Sequence, residues 1–257
     1  MKEISKRLSP ILRPLLVFSL LLLVWEYVSP LAGIPAYVLP QPSEIFARFL
    51  ETGSVQMQGL LVTGFTTLAG LALALVSGVL LALLVVYLPV LRSIVMPLLA
   101  AFNSIPKIAI APLFVIWFGL GYESKILLAF LLALFPIFVN SLTGLSEIES
   151  DMIDLSTLAG GSEWRTFTKV RLMNALPYIT DALRVAFPLA LVGSIVGEFI
   201  GGNSGIGNLI LSAQFNMDTS LVFAALLTIT LFTTVGMSLI SFIEHAFLGW
   251  RPSQRKR

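Results

Sequence analysis

The feature that most limits this chain is its succession of apolar runs. A helix that crosses a membrane needs about 20 mostly apolar residues, because the hydrocarbon core is about 30 Å thick and a helix rises about 1.5 Å per residue. Apolar runs cover residues 15–28, 60–86, 126–142, 182–200 and 221–248. A further run is broken into 94–102 and 108–118, with Asn103, Pro106 and Lys107 in the interruption. Counting the broken run once predicts six spans in an all-α polytopic membrane protein, with residues 1–257 forming a single transmembrane domain. Composition agrees. Hydrophobic residues make up 57% of the chain and charged residues 12%, too few charges to cover the surface of a water-soluble protein this long.

Several chemistries are excluded by what the chain lacks. It has no cysteine and one histidine, His245, so disulfide frameworks, thiolate metal sites and histidine clusters are ruled out. The net charge of +2 is too small and too dispersed for nucleic-acid binding. An intramembrane enzyme would need a nucleophile and a base at membrane depth; no serine has a plausible base beside it.

Lysine and arginine placement sets orientation. With the N-terminus in the cytoplasm, Lys2, Lys6, Arg7, Arg13, Arg92, Arg165, Lys169, Arg171, Arg251, Arg255, Lys256 and Arg257 lie inside, and only Arg48 and Lys125 lie outside. An even number of spans places both termini there, as an N-terminal tail at 1–14 and a basic tail at 249–257. The basic start followed by an apolar stretch looks like a signal peptide. With no A-x-A site after it, an uncleaved first span is expected. Outside, residues 29–58 carry Pro30, Pro35, Pro40 and Pro42, and Ser43-Glu44 reads as the N-cap of a short surface helix. Residues 201–219 are expected to form a second outside loop, opening on the glycine-rich stretch Gly201–Gly207.

The long polar inside segment, 143–176, carries Glu147, Glu149, Asp151, Asp154, Glu163, Arg165, Lys169 and Arg171. Ile148, Met152, Leu155 and Ala159 recur at helical spacing. Gly160-Gly161 stops that helix, Ser162 caps a second, and Trp164, Phe167, Val170 and Arg171 continue it. A short helix, a two-glycine bend and another helix are therefore expected. Such an element is either an amphipathic connector on the bilayer surface or a docking element for a cytoplasmic partner.

Here the chain resembles a known family. Permease subunits of bacterial ABC importers carry the signature E-A-A-x3-G-x9-I-x-L-P, which appears as Asp154-Leu155-Ser156, Gly160, Val170 and Leu172-Met173. Asp replaces the glutamate, Leu and Ser the alanines, and Met the final proline. Leu39-Pro40-Gln41-Pro42-Ser43-Glu44, the stretch from Ile105-Pro106-Lys107 to Ala111-Pro112-Leu113, Trp117-Phe118-Gly119-Leu120-Gly121, Ala175-Leu176-Pro177, Leu183-Arg184 and Glu198-Phe199-Ile200 are similar to segments of the sulfonate/taurine/nitrate branch. The resemblance spans roughly residues 35–250.

It implies a permease dimer (a homodimer, or a pair with a homologous permease) in a bacterial inner membrane. Two cytoplasmic ATPase subunits, carrying ATP and Mg, would dock on Asp154, Leu155, Ser156, Gly160, Gly161, Trp164 and Phe167, and a periplasmic binding protein would deliver a small solute, expected to be an anion of the sulfonate/taurine/nitrate type. The chain has no G-x-x-x-x-G-K-[ST] of its own to cradle phosphates. It is expected to be a non-catalytic subunit that binds no cofactor. A stand-alone secondary transporter or channel is the alternative; the bent element and the lack of paired broken helices in two halves argue against it.

Polar groups inside spans are costly, so each needs a role. Asp181 and Arg184, three apart, are expected to pair along one helix. Glu198 either packs against a donor from another span or lines the entry to the solute path. Asn103, Pro106 and Lys107 either face a cavity, where Lys107 attracts an anionic solute, or form a loop at the membrane edge with a snorkelling lysine. Asn140 is expected to hydrogen-bond between helices, and Gly64, Gly70, Ala72, Ala74 and Gly78 to let helices approach closely.

Overall fold

A computed structural model describes residues 2–148 and 150–248. Met1, Glu149 and the basic tail 249–257, with Arg251, Arg255, Lys256 and Arg257, lie outside the described residues, as do the side chains of residues 2–12, Lys2, Lys6 and Arg7 among them. The regular elements are α1 (Lys2–Leu31), α2 (Pro42–Glu51), α3 (Gly53–Tyr87), α4 (Pro89–Ser104), a 3-10 turn (Lys107–Ile110), α5 (Ala111–Phe118), α6 (Tyr122–Ser146), α7 (Ser150–Leu158), α8 (Glu163–Thr166), a π turn (Phe167–Arg171), α9 (Leu172–Gly201), α10 (Ile206–Phe215) and α11 (Thr219–Phe247). The protein is all-α among the described residues.

Among the described residues, five helical stretches are long and apolar enough to cross a membrane: Arg13–Leu31, Gly53–Tyr87, Tyr122–Ser146, Glu163–Gly201 and Thr219–Ala246. Val90–Ser104 and Lys107–Phe118 bend by 83° at their break and supply the sixth span when counted as one. Most of the helices outrun the apolar runs that mark them. Hydropathy reports the part that sits in hydrocarbon, whereas backbone hydrogen bonding carries the helix on into polar surroundings.

Two expectations for the loops are corrected. Residues 201–219 are mostly helix, because Ile206–Phe215 forms α10; its Leu209, Ile210 and Leu211 follow the glycines at once. The cap of α2 is Gln41, not Ser43. Pro42 occupies the first helical position, where its missing N–H costs nothing, and the Gln41 N–H donates to Glu44 Oε2 at 3.1 Å.

The contacts form two compact units, Met1–Gln58 with Leu209–Ile229 and Gly59–Asn208 with Thr230–Arg257, taken over the described residues. In the first, Ser43 donates to the Glu26 carboxylate from its backbone N–H (3.0 Å) and from its hydroxyl (2.6 Å), fixing α2 to α1. Arg48 donates twice to Asp218 Oδ2, from Nε at 3.0 Å and Nη2 at 2.6 Å. Trp25 meets Phe223 edge-on at 5.7 Å, and Thr228 hydrogen-bonds Gln56.

The second unit is built on α3, α6 and α9. Ala74, Ala129, Ala133, Ala182, Ala186 and Ala190 are fully buried there. Between apolar helices in lipid, burial of hydrocarbon gives little drive, and close van der Waals packing takes its place. The glycines show how close that packing is. A Cβ at Gly70 would stand 2.5 Å from the Ala129 Cβ, and one at Gly193 2.6 Å from the Leu128 carbonyl oxygen. Gly78 is equally confined, against Ile137. Nearer the bent element a second cluster collects Ala82, Val85, Phe138, Leu142, Leu145 and Ala175.

Candidate functional site

Three places in the second unit bring together residues of chemical consequence. The first is the bent element. α7 ends where Ala159, Gly160 and Gly161 donate back to Leu155, Thr157 and Ser156 carbonyls at 2.8–3.0 Å. Gly160 has φ +71°, a left-handed conformation that glycine adopts without strain. The Ser162 hydroxyl accepts from the Arg165 N–H at the start of α8, and the Ser156 and Thr166 hydroxyls meet at 2.7 Å, tying the two arms together. The bend stands where the sequence puts it. Its second arm is not a separate helix, however. α8 runs through the π turn into α9 as one stretch, Glu163–Gly201. Leu155, Leu158 and Trp164 are 61%, 85% and 73% exposed.

The second place is the broken span. Pro106 lacks an N–H to continue α4, and the chain turns there into the 3-10 turn. Lys107 Nζ donates to Asn103 Oδ1 at 2.7 Å, so both polar side chains stay at the break. Beside them lies a cleft of about 220 Å³ walled by Leu98, Phe102, Leu131, Leu134 and Phe135. A neighbouring cleft reaches the same lysine from Pro136, Val185 and Leu189.

The third is Glu198. It is fully buried, so lining the entry to a solute path is corrected: it packs against donors from another span and its own loop. Oε1 accepts from the Thr63 hydroxyl at 2.8 Å and Oε2 from the Gly207 N–H at 2.7 Å. Thr63 accepts from the Ile206 N–H at 2.9 Å. Lys125 Nζ holds the Ser204 carbonyl at 2.8 Å. Gly205 has φ +111°, and a Cβ there would stand 2.1 Å from the Glu198 carboxylate. Asn208 adds a further tie, donating to the Gly202 carbonyl. The glycine-rich stretch is thus a tight wrap around a buried carboxylate.

Residues 74–248 match the model of the family described as the binding-protein-dependent transport system inner membrane component. This chain belongs to that family. It is an ABC-importer permease, a non-catalytic membrane subunit whose ATPase is a separate chain. The permease is 35% identical to the formylaminopyrimidine transport permease protein ThiX of Halalkalibacterium halodurans, over 97% of this chain and 100% of the relative. It is 33% identical to the riboflavin transport system permease protein RibX of Chloroflexus aurantiacus, over 91% and 88%. To the taurine transport system permease protein TauC of Escherichia coli it is 28% identical, over 93% and 86%.

Two other polar groups of the permease have partners that the sequence did not indicate. The carboxylate that Arg184 hydrogen-bonds is Glu244 of α11, with Ser241 Oγ also accepting at 3.2 Å. This ion pair runs between helices, because α11 packs on this face of α9. Asn140 donates to the Pro136 carbonyl of its own helix at 2.8 Å, not across to a neighbour. Sequence reasoning gave Tyr87 and Asn174 no role and read Arg171 only as continuing the second arm of the bend. Their one signal was an arginine and an asparagine three apart, just before an apolar run.

Proposed function

We propose that this permease subunit forms the passage of an ATP-driven importer in a bacterial inner membrane, with both termini cytoplasmic, and that its solute is a small planar heteroaromatic compound. It works as a dimer, with a second copy or a homologous permease. Two ATPase subunits carrying ATP and Mg dock on α7 and α8, and a binding protein delivers solute from the other side.

One observation carries the docking: Leu155, Leu158 and Trp164 are exposed on an element that also bears Asp151, Asp154, Glu163 and Arg165. Charges keep such an element out of hydrocarbon. α7 has acidic residues and no basic ones, the reverse of a helix that lies on anionic headgroups. A protein partner suits that surface better than a bilayer does.

The solute class rests on the cleft at the broken span. Phe102 and Phe135 offer flat apolar walls, while Lys107 and Asn103 offer donors and an acceptor. That combination suits a ring with nitrogen and oxygen edges, and two of the more similar relatives are named for a pyrimidine and a flavin. The second reading, an anion of the sulfonate/taurine/nitrate type, is favoured by Lys107, whose hydrogen-bond acceptors, the side-chain and main-chain oxygens of Asn103, are neutral.

The test is reconstitution of the permease with its ATPase and binding protein in proteoliposomes. ATP-dependent uptake of an aminopyrimidine or a flavin, undiminished by excess taurine, is the expected result. Uptake of taurine alone would replace the first reading by the second. Uptake without any ATPase would return the chain to the stand-alone transporter class.

A further inference from the structure

The C-terminal end of α6 leaves four carbonyls without helical partners, and the structure satisfies every one. Thr143 O accepts from the Glu147 N–H and Ser146 O from the Ile148 N–H. The other two are taken by side chains from the far side of the bend. Asn174 Nδ2 donates to Gly144 O at 2.8 Å, and Arg171 Nη1 donates to Leu145 O at 3.1 Å. A cation at a helix C-terminus also complements its dipole.

Arg171 makes a second contact of a different kind. Its guanidinium lies 6.0 Å from the ring centre of Tyr87, the last residue of α3. The Tyr87 ring meets Phe167 edge-on at 6.2 Å, and Phe167 lies 5.7 Å from Trp164. A continuous set of contacts therefore leads from an exposed ring on the bent element, through Phe167 and Tyr87, to Arg171 and the end of α6. Arg171 ends the π turn, a geometry in which the helical ladder is loosened and which recurs at functional sites.

We propose that Arg171, clamped on Tyr87, is the positioning residue that passes displacement of the bent element to α3 and α6 together. A planar guanidinium can stack on a ring and donate in its own plane at once, which an ammonium cannot do. When α8 is pushed, Phe167 and Arg171 move as one turn; the ring of Tyr87 and the carbonyl of Leu145 then carry that motion to the ends of two spans. Without the clamp, the motion reaches α3 and α6 only through their packing on α9 and the Asn174 tie to Gly144.

The inference rests on the reading of the chain as an ATP-driven importer subunit, and the experiment separates the two. The permease, its ATPase and its binding protein are co-purified and reconstituted, and solute imported per ATP hydrolysed is measured for wild type, Arg171→Ala, Tyr87→Ala and Tyr87→Phe. Both alanine variants are expected to lower that ratio about tenfold, while Tyr87→Phe, which keeps the ring, stays near wild type. A variant that merely assembled poorly would lower import and hydrolysis together and leave the ratio alone. A wild-type ratio in the alanine variants overturns the proposal. If Arg171→Ala does not assemble, the Tyr87 pair decides, and equal ratios in Tyr87→Ala and Tyr87→Phe overturn it. Failure of the wild-type chain to co-purify with its ATPase would defeat the functional reading instead.

Discussion

Thr63 and Glu198 stand 135 positions apart and meet inside the bundle, the threonine hydroxyl donating to the carboxylate at 2.8 Å. The other carboxylate oxygen receives the N–H of Gly207. One acidic side chain thus joins α3, α9 and the start of α10.

Removing that side chain should loosen the joint. Glu198→Ala takes the acceptor from the buried Gly207 N–H, at a cost of about 1–3 kcal/mol, while the Thr63 hydroxyl keeps the Gly59 carbonyl at 3.1 Å. Glu198→Gln keeps one carbonyl oxygen and should cost less. Thermal unfolding of the detergent-solubilised chain ranks the two; an alanine variant as stable as wild type would show that the joint contributes nothing.

Gly205 and Gly33 make a paired test of crowding. Both have positive φ, but a Cβ at Gly33 meets open space and one at Gly205 meets the Glu198 carboxylate. Gly33→Ala should cost only the left-handed strain, about 1–2 kcal/mol. Gly205→Ala adds a clash and should sharply reduce the yield of folded protein, read by size-exclusion chromatography. Equal yields would contradict the geometry.

At the bend, Gly160 has φ +71° and open space around it, so conformation rather than room sets the requirement. Asparagine tolerates this region and valine does not. Gly160→Asn is expected to preserve coupled uptake in proteoliposomes. Gly160→Val should lose it while ATP is still hydrolysed, and coupled uptake in that variant would show that the bend needs no glycine.

Arg48 and Asp218 are partly exposed, with side-chain exposures of 38% and 24%. Solvent screening limits such a pair to about 1 kcal/mol even with two hydrogen bonds. Asp218→Asn should therefore lower the melting temperature slightly at low salt, and by still less at high salt. A large, salt-independent loss would mean that the contact does more than pair charges.

Lys107→Met keeps the stem and removes the charge. Uptake of a neutral heteroaromatic solute should fall only a few-fold, by roughly the loss of one hydrogen bond. A loss confined to anionic solutes would favour the second reading.

The sequence made the spans legible because hydrocarbon demands length and apolarity, and 60–86 or 126–142 could hardly be anything else. The two-glycine bend was legible too, since Gly160 and Ser162 are local signals. What could not be read were partners chosen by packing. Arg184 had a carboxylate one turn away in Asp181, yet its guanidinium hydrogen-bonds Glu244 on α11. Glu198 looked like a group near a span end, and only the wrap of Gly205 and Gly207 shows why it is buried. Ser43 resembled a helix cap, but Glu26 from α1 takes its donors and Gln41 becomes the cap.

The unbroken stretch Glu163–Gly201 ties the phase of its two ends together. One residue added or lost within it would turn the Glu198 end by about 100° relative to Trp164, pulling the carboxylate away from Thr63 or the indole away from Phe167. Length variation in this protein should therefore collect in the non-helical links, such as those around Leu88 and Gly119, and the long rod should keep its residue number fixed even where its side chains drift.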